Sequence, residues 1–229
     1  MGIDRVDHML MILAISLEMN ETERKVVTKK MIEGFNDCAK EARTNVTGGQ
    51  SIMNPWPIIG GVANVVCDEN EYIKVNQGEP GDQLILTKPL GTQVAVNNLE
   101  WLMKGDEKAT KVMTAERVME TYYMAMESMG TLNQNAATLC KKYECHGATD
   151  ITGFGIMGHA ENLVKVQKAD VDYKIHSLPV LDGTADVNAQ VFDFKLLEGF
   201  SAETSGGLLI MVPPSKVDDF QKELLETYG

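Results

Sequence analysis

The sequence predicts an α+β protein in two domains, with an α/β character in the first of them. Three observations carry this. β-rich stretches crowd the part before Lys88, long helical stripes dominate the part after it, and the two kinds of element are segregated rather than alternating as βα units. The composition change places the domains at residues 1–88 and 89–229. No internal repeat and no low-complexity tract interrupts them.

Met9–Leu17 is short, apolar and bounded by polar residues, which reads as a buried strand, with a helix turn as the alternative that periodicity leaves open. Asn20 and Glu23 have the spacing of an N-cap and its N3 partner. Val27, Met31, Phe35, Cys38 and Ala42 then recur at helical spacing, so a helix runs from Asn20 to Glu41 or Ala42. Asn45–Met53 reads as a strand leading into a turn at Gly48-Gly49-Gln50-Ser51. Ile58–Val66 is β-rich, and Gly60-Gly61 within it marks a bulge or a close backbone approach. Pro80-Gly81-Asp82 is a turn, Gln83–Thr87 a strand, and Lys88-Pro89-Leu90-Gly91 its end.

Between Thr114 and Tyr143 the residues Val118, Tyr122, Ala125, Met126, Met129, Leu132, Ala136 and Leu139 form one continuous apolar stripe. This predicts a single long helix with a methionine-rich core face. Another helix follows Gly155. Val171–Ile175 and Leu208–Val212 read as strands, Leu181–Phe200 as a mobile loop with a helical turn, and Ser215 as the cap of a last helix ending near Thr227.

The chain has 229 residues, is 44% hydrophobic and 24% charged, and carries a formal net charge of -12. That balance suits a water-soluble globular protein and argues against a nucleic-acid partner, which needs a basic face. No apolar run approaches the length of a membrane span. The 4 cysteines lack the spacing of a disulfide framework, so a reduced, cytoplasmic compartment is expected. Cys140, Cys145 and His146 do not complete a tetrahedral metal set, and Cys140 lies on an apolar helix face, which assigns it to packing.

Three glycine-bearing segments are candidates for holding phosphate. In Thr47-Gly48-Gly49-Gln50-Ser51 the paired glycines expose backbone N–H groups and Ser51 adds a hydroxyl, unless the segment is only a tight turn. In Ala148-Thr149-Asp150-Ile151-Thr152-Gly153-Phe154-Gly155 a carboxylate stands before a helix. It either ligates a metal ion such as Mg²⁺ beside a phosphate or caps the helix that follows. His159, one turn into that helix, either faces the site or is a satisfied structural histidine. The third segment is Glu203-Thr204-Ser205-Gly206-Gly207, directly before an apolar strand. There is no Walker A sequence, no GxGxxG and no GxSxG, which excludes a P-loop NTPase, a plain dinucleotide binder and a nucleophile-elbow hydrolase by motif.

Taken together, Val46-Thr47-Gly48-Gly49-Gln50, Leu86-Thr87-Lys88-Pro89-Leu90-Gly91-Thr92-Gln93, Ala148–Gly155 and Glu203-Thr204-Ser205-Gly206-Gly207-Leu208-Leu209 resemble selenophosphate synthetase (selenide, water dikinase) in spelling, order and spacing. Asn54-Pro55-Trp56 and Gly158-His159-Ala160 resemble its eukaryotic-type branch. The resemblance spans nearly the whole chain and is weakest between Leu181 and Phe200.

It implies an aminoimidazole-ribonucleotide-synthetase-like architecture, in which residues 1–88 belong to an ATP-binding and dimerising domain. It also implies a homodimer, and a reaction that turns ATP, selenide and water into selenophosphate, AMP and phosphate with Mg²⁺ as cofactor. By motif position, Gly48, Gly49, Gln50 and Ser51 contact ATP and Asp150 ligates Mg²⁺. Thr149, Thr152, Glu203, Thr204, Ser205 and Gly206 line the same cavity. A selenium-delivery protein is a further implied partner.

The family's glycine-rich loop with its Cys or selenocysteine, its Lys and further metal-binding Asp residues have no counterpart after Met1, and the closing strand is expected beyond Gly229. The resemblance therefore implies a truncated chain with no catalytic residue of its own, inactive alone. The alternatives are a non-catalytic paralogue acting as partner or regulator, and another ATP-dependent enzyme of the same fold.

Overall fold

The structure is a computed structural model that describes residues 2–228. Its strands are β1 (His8–Ser16), β2 (Val46–Asn54), β3 (Ile58–Asn64), β4 (Gln83–Leu86), β5 (Gly147–Asp150) and β6 (Leu208–Val212). Its helices are α1 (Glu21–Glu41), α2 (Thr92–Met103), α3 (Ala115–Gly130), α4 (Gln134–Lys142), α5 (Gly155–Lys165), α6 (Thr184–Gln190) and α7 (Val217–Tyr228). The chain divides into two compact units, one formed by Ile3–Tyr72 and the other by Gly2 with the residues from Ile73 onward. The composition change at Lys88 falls inside the second unit, because β4 pairs with β6.

In the Ile3–Tyr72 unit the strand order is β2-β1-β3, parallel between β1 and β2 and antiparallel between β1 and β3. Parallel neighbours need a crossover, and α1 supplies it. The helix begins as its sequence spells. The Asn20 side chain accepts from the Glu23 N–H at 3.0 Å, and the Glu23 carboxylate accepts from the Asn20 N–H at 2.9 Å. Asn20→Ala should cost about 1 kcal/mol of this unit's stability, read from urea unfolding followed by circular dichroism.

The diglycine segment differs from expectation. Gly48 to Ser51 is not a turn but the middle of β2, paired with Leu10 to Leu13 of β1. Gly49 has φ +140°, and a Cβ there would run into the Met11 backbone. The glycine serves a close approach of two strands, so an L side chain would be excluded twice over.

In the other unit β6 lies between β4 and β5 and is antiparallel to both. Every residue of β6 is buried, because helices cover both faces. Leu208, Ile210 and Val212 join Leu139, Cys140, Phe220 and Leu224 on the side of α4 and α7. Leu209 joins Val94, Ile156, Ala160 and Val187 on the side of α2, α5 and α6. This is the period-2 alternation of a strand with two apolar faces, and each such side chain contributes about 1.5–3 kcal/mol of burial.

Several elements correct the sequence reading. The stripe expected to form one helix forms two. α3 ends at Gly130, Thr131 turns to ψ 125°, and α4 restarts after Asn133. Met126, expected in the core, is exposed. Val171–Ile175 keeps the alternating exposure of a strand but pairs with no other strand among the described residues. Ser215 lies inside a short 3-10 turn, Pro214–Lys216, that precedes α7. α2 had not been anticipated at all.

Cys140 is a packing residue, as its helix face implied, and Cys145 is buried in the same cluster. Glu144 takes φ +51°, the Cys145 N–H reaches the Cys140 carbonyl at 2.9 Å, and the Glu144 N–H reaches that of Lys141 at 3.2 Å. This is a Schellman end to α4, and the two cysteines are its paired apolar positions.

Candidate functional site

Because β6 runs against β4 and β5, its first residue lies beside the last residues of both. Leu209 pairs with Leu86, and Leu208 with Asp150. Three of the four motifs therefore meet at one end of this sheet. The Thr87 N–H donates to Leu208 O at 3.0 Å, and the Leu208 N–H to Thr87 Oγ1 at 2.8 Å. On the other side, the Ile151 N–H donates to Gly207 O at 2.9 Å and the Glu203 N–H to Thr152 O at 3.0 Å. The fourth motif, with Gly48 to Ser51, lies in the Ile3–Tyr72 unit on its outer strand, where all four residues are exposed.

Asp150 is half-buried at the end of β5. It does not cap α5, whose N-cap is Phe154 with no side-chain cap bond, so the capping alternative is closed. The Thr152 hydroxyl donates to Asp150 Oδ2 at 3.1 Å, and Oδ1 has no hydrogen bond among the described residues. Thr149 Oγ1 turns to the Asp150 carbonyl at 3.2 Å. The first turn of α5 is less open to an anion than its sequence implied, since the Met157 N–H is taken by Gly199 O at 3.0 Å.

Glu203, expected to line a cavity, has another task. It is 5% exposed, and its carboxylate accepts from the Gly91 N–H at 2.7 Å, the Thr92 N–H at 2.9 Å and the Thr92 hydroxyl at 2.5 Å. These are the orphan donors of α2, whose N-cap is Gly91 with no side-chain cap of its own. Burial pushes the Glu203 carboxyl above its ordinary range, while the Thr92 hydroxyl and the two N–H groups pull it back down. Thr204 is tied in as well, its N–H donating to Thr92 Oγ1 at 3.0 Å.

Lys88 is the residue to which the sequence had assigned no role. It is 6% exposed, and its ammonium donates to Ser128 O at 2.9 Å, Thr131 O at 2.6 Å and Ser205 O at 3.0 Å. The first two are carbonyls at the C-terminal end of α3, where a cation is favourably placed. Burial lowers the Lys88 pKa from its ordinary value. Asn133 adds a bond from Nδ2 to Gly206 O at 2.9 Å.

Gly206 sits so close to Ile151 that a Cβ would collide with its carbonyl oxygen. Gly206→Ala should therefore cost about 1–3 kcal/mol through overpacking, measurable as a lowered urea midpoint. Ser205 holds φ +49° in the same turn.

Among the described residues no group of three or more His, Cys, Asp and Glu side chains could hold a metal ion. Among the same residues no helix is long and apolar enough to cross a membrane.

Residues 79–229 match the family described as AIR synthase related protein, C-terminal domain. The chain is 51% identical to selenide, water dikinase 3 of Danio rerio across 98% of its own length and 51% of the relative's. It is 50% identical to selenide, water dikinase 2 of Mus musculus across 100% of its own length and 51% of the relative's. The chain thus spans about half the length of the curated relatives it matches. Among solved structures, HypE of E. coli superposes with a TM-score of 0.70 at 15% identity, covering 96% of this chain and 62% of HypE, a likeness of fold alone. The match over residues 79–229, on the sheet whose end gathers three motifs, means that the chain belongs to the AIR synthase related protein family.

Proposed function

We propose that this chain serves the synthesis of selenophosphate from ATP, selenide and water, with release of AMP and phosphate. The observation that carries the reading is 51% identity, across 98% of the chain, to a protein named selenide, water dikinase. The geometry supports it at Asp150, where Thr152 holds one carboxylate oxygen and the other has no hydrogen bond among the described residues.

Mg²⁺ binds through one or two carboxylates together with phosphate oxygens and water, so a single side chain of this kind fits the ion. Asp150 would hold it, and the ion would neutralise charge on the transferring phosphoryl groups. Gly48, Gly49, Gln50 and Ser51 would meet the nucleotide through the N–H groups of an outer strand and the Ser51 hydroxyl. Lys88 and Asn133 would hold the turn of Ser205 and Gly206 in place through its carbonyls, beside the Asp150 loop.

In this reading the Ile3–Tyr72 unit is the nucleotide-binding and dimerising part. The register sets Leu10, Ile12, Ile52, Ile58 and Val62 on one face of its sheet, all exposed, which suits a homodimer. A cytoplasmic setting and delivery of selenide by a partner protein belong to the same proposal.

Phosphorus NMR of the protein expressed from its whole gene, with ATP, Mg²⁺ and selenide, tests it. Selenophosphate, AMP and phosphate in equal amounts are expected. ADP as the sole nucleotide product would instead mark a different kinase of this fold. Nucleotide binding without turnover would mark a non-catalytic paralogue.

A further inference from the structure

The Asp150 turn is held by a side chain that the proposed reaction leaves unused. His159, on α5, is 8% exposed. Its Nε2 accepts the Thr152 N–H at 3.0 Å and lies 3.3 Å from Thr152 Oγ1. The Thr152 hydroxyl in turn donates to Asp150 Oδ2, and the Thr152 carbonyl accepts from the Gly155 N–H at 3.1 Å and the Glu203 N–H at 3.0 Å. Every polar atom of Thr152 is engaged. The Phe154 ring packs against the imidazole with centroids 5.3 Å apart.

The hydroxyl of a threonine rotates, and this one has two acceptors in reach but a single proton. The backbone N–H of Thr152 already uses the Nε2 lone pair. The hydroxyl proton is thereby directed to the carboxylate, where a bond to an anionic oxygen is the stronger of the two. Accepting at Nε2 also sets the tautomer, with the imidazole proton on Nδ1. The result is a chain from His159 through Thr152 to Asp150 Oδ2 that leaves Oδ1 without a hydrogen bond among the described residues. Partners of this kind, standing behind a metal ligand, govern its orientation and its affinity.

We infer that His159, acting through Thr152, is a positioning residue that orients the Asp150 carboxylate for a divalent cation. The inference rests on the reading of Asp150 as the Mg²⁺ ligand. A purely structural histidine would satisfy the Thr152 N–H and do no more, so the two roles separate on Mg²⁺ dependence rather than on stability.

The experiment is calorimetric titration of ATP into the protein expressed from its whole gene at a series of Mg²⁺ concentrations, with thermal melting of each variant alongside. Asp150→Asn is expected to raise the Mg²⁺ concentration needed for half-maximal ATP binding by about 100-fold or more. Thr152→Val, which removes the hydroxyl and keeps the shape, and His159→Leu are expected to raise it by about 10-fold. His159→Gln, whose amide oxygen can accept the same N–H, is expected to stay near wild type.

If Asp150→Asn raises the requirement while Thr152→Val and His159→Leu change only the melting temperature, the positioning role is overturned and the Asp150 reading stands. If Asp150→Asn leaves the requirement unchanged, the Asp150 reading falls and the inference falls with it. Should His159→Leu not fold, an unchanged requirement in Thr152→Val overturns the positioning role by itself.

Discussion

Lys88→Met should destabilise its unit by about 3 kcal/mol. Methionine fills much the same volume and donates nothing, so the carbonyls of Ser128, Thr131 and Ser205 each lose a partner. Three charge-assisted bonds at about 1.5 kcal/mol or more each, less the relief of the buried ammonium's desolvation, give that total. The α3 end loses its cation as well. Urea unfolding monitored by circular dichroism measures the change. A midpoint shift worth less than about 1 kcal/mol would mean that the ammonium is dispensable to the junction.

Glu203→Leu should cost a similar amount, about 3 kcal/mol, for the opposite reason. The Gly91 N–H, the Thr92 N–H and the Thr92 hydroxyl would be left without an acceptor in a dry place. Glu203→Gln should fall between wild type and Glu203→Leu, because its amide oxygen still accepts while its NH₂ faces donors. The pair of variants separates the role seen in the structure from the one its motif implied. A residue that lines a nucleotide cavity would weaken ATP binding at unchanged stability. A helix anchor would lower the unfolding free energy first, and any loss of binding would follow from that.

What the sequence made legible was what is written locally. The α1 start could be read because Asn20 and Glu23 are three residues apart and bond to each other. β1, β4 and β6 could be read because short apolar runs between polar residues have few other uses. α2 escaped because its cap is Glu203, |i−j| of 111 and more from the N–H groups it holds. The break between α3 and α4 escaped for the same kind of reason. The apolar stripe runs through it unchanged, and the cation that meets the end of α3 comes from Lys88, 40 residues from Ser128. Gly48-Gly49 looked like a turn because paired glycines usually make one, whereas here the second glycine admits the backbone of β1.

At the candidate site, Asp150 stands out by its type and surroundings, and Thr152 by its motif. His159 is offered by its place one helical turn past the loop, though its bond to Thr152 is not. The role of Lys88 had a fainter signal, a lysine directly after an apolar strand with no carboxylate at helical spacing to pair with.

Lys88 closes the tail of α3 and Glu203 the head of α2, and these two helices pack side by side. Both fixed charges are shielded from solvent, so mobile ions reach neither of them. In about 1 M salt the ion pairs that decorate the surface, such as Lys25 with Glu21 or Lys165 with Glu161, lose most of their attraction. The docking of α2 and α3 would be indifferent to the same brine, so this corner should be the last to loosen as ionic strength climbs.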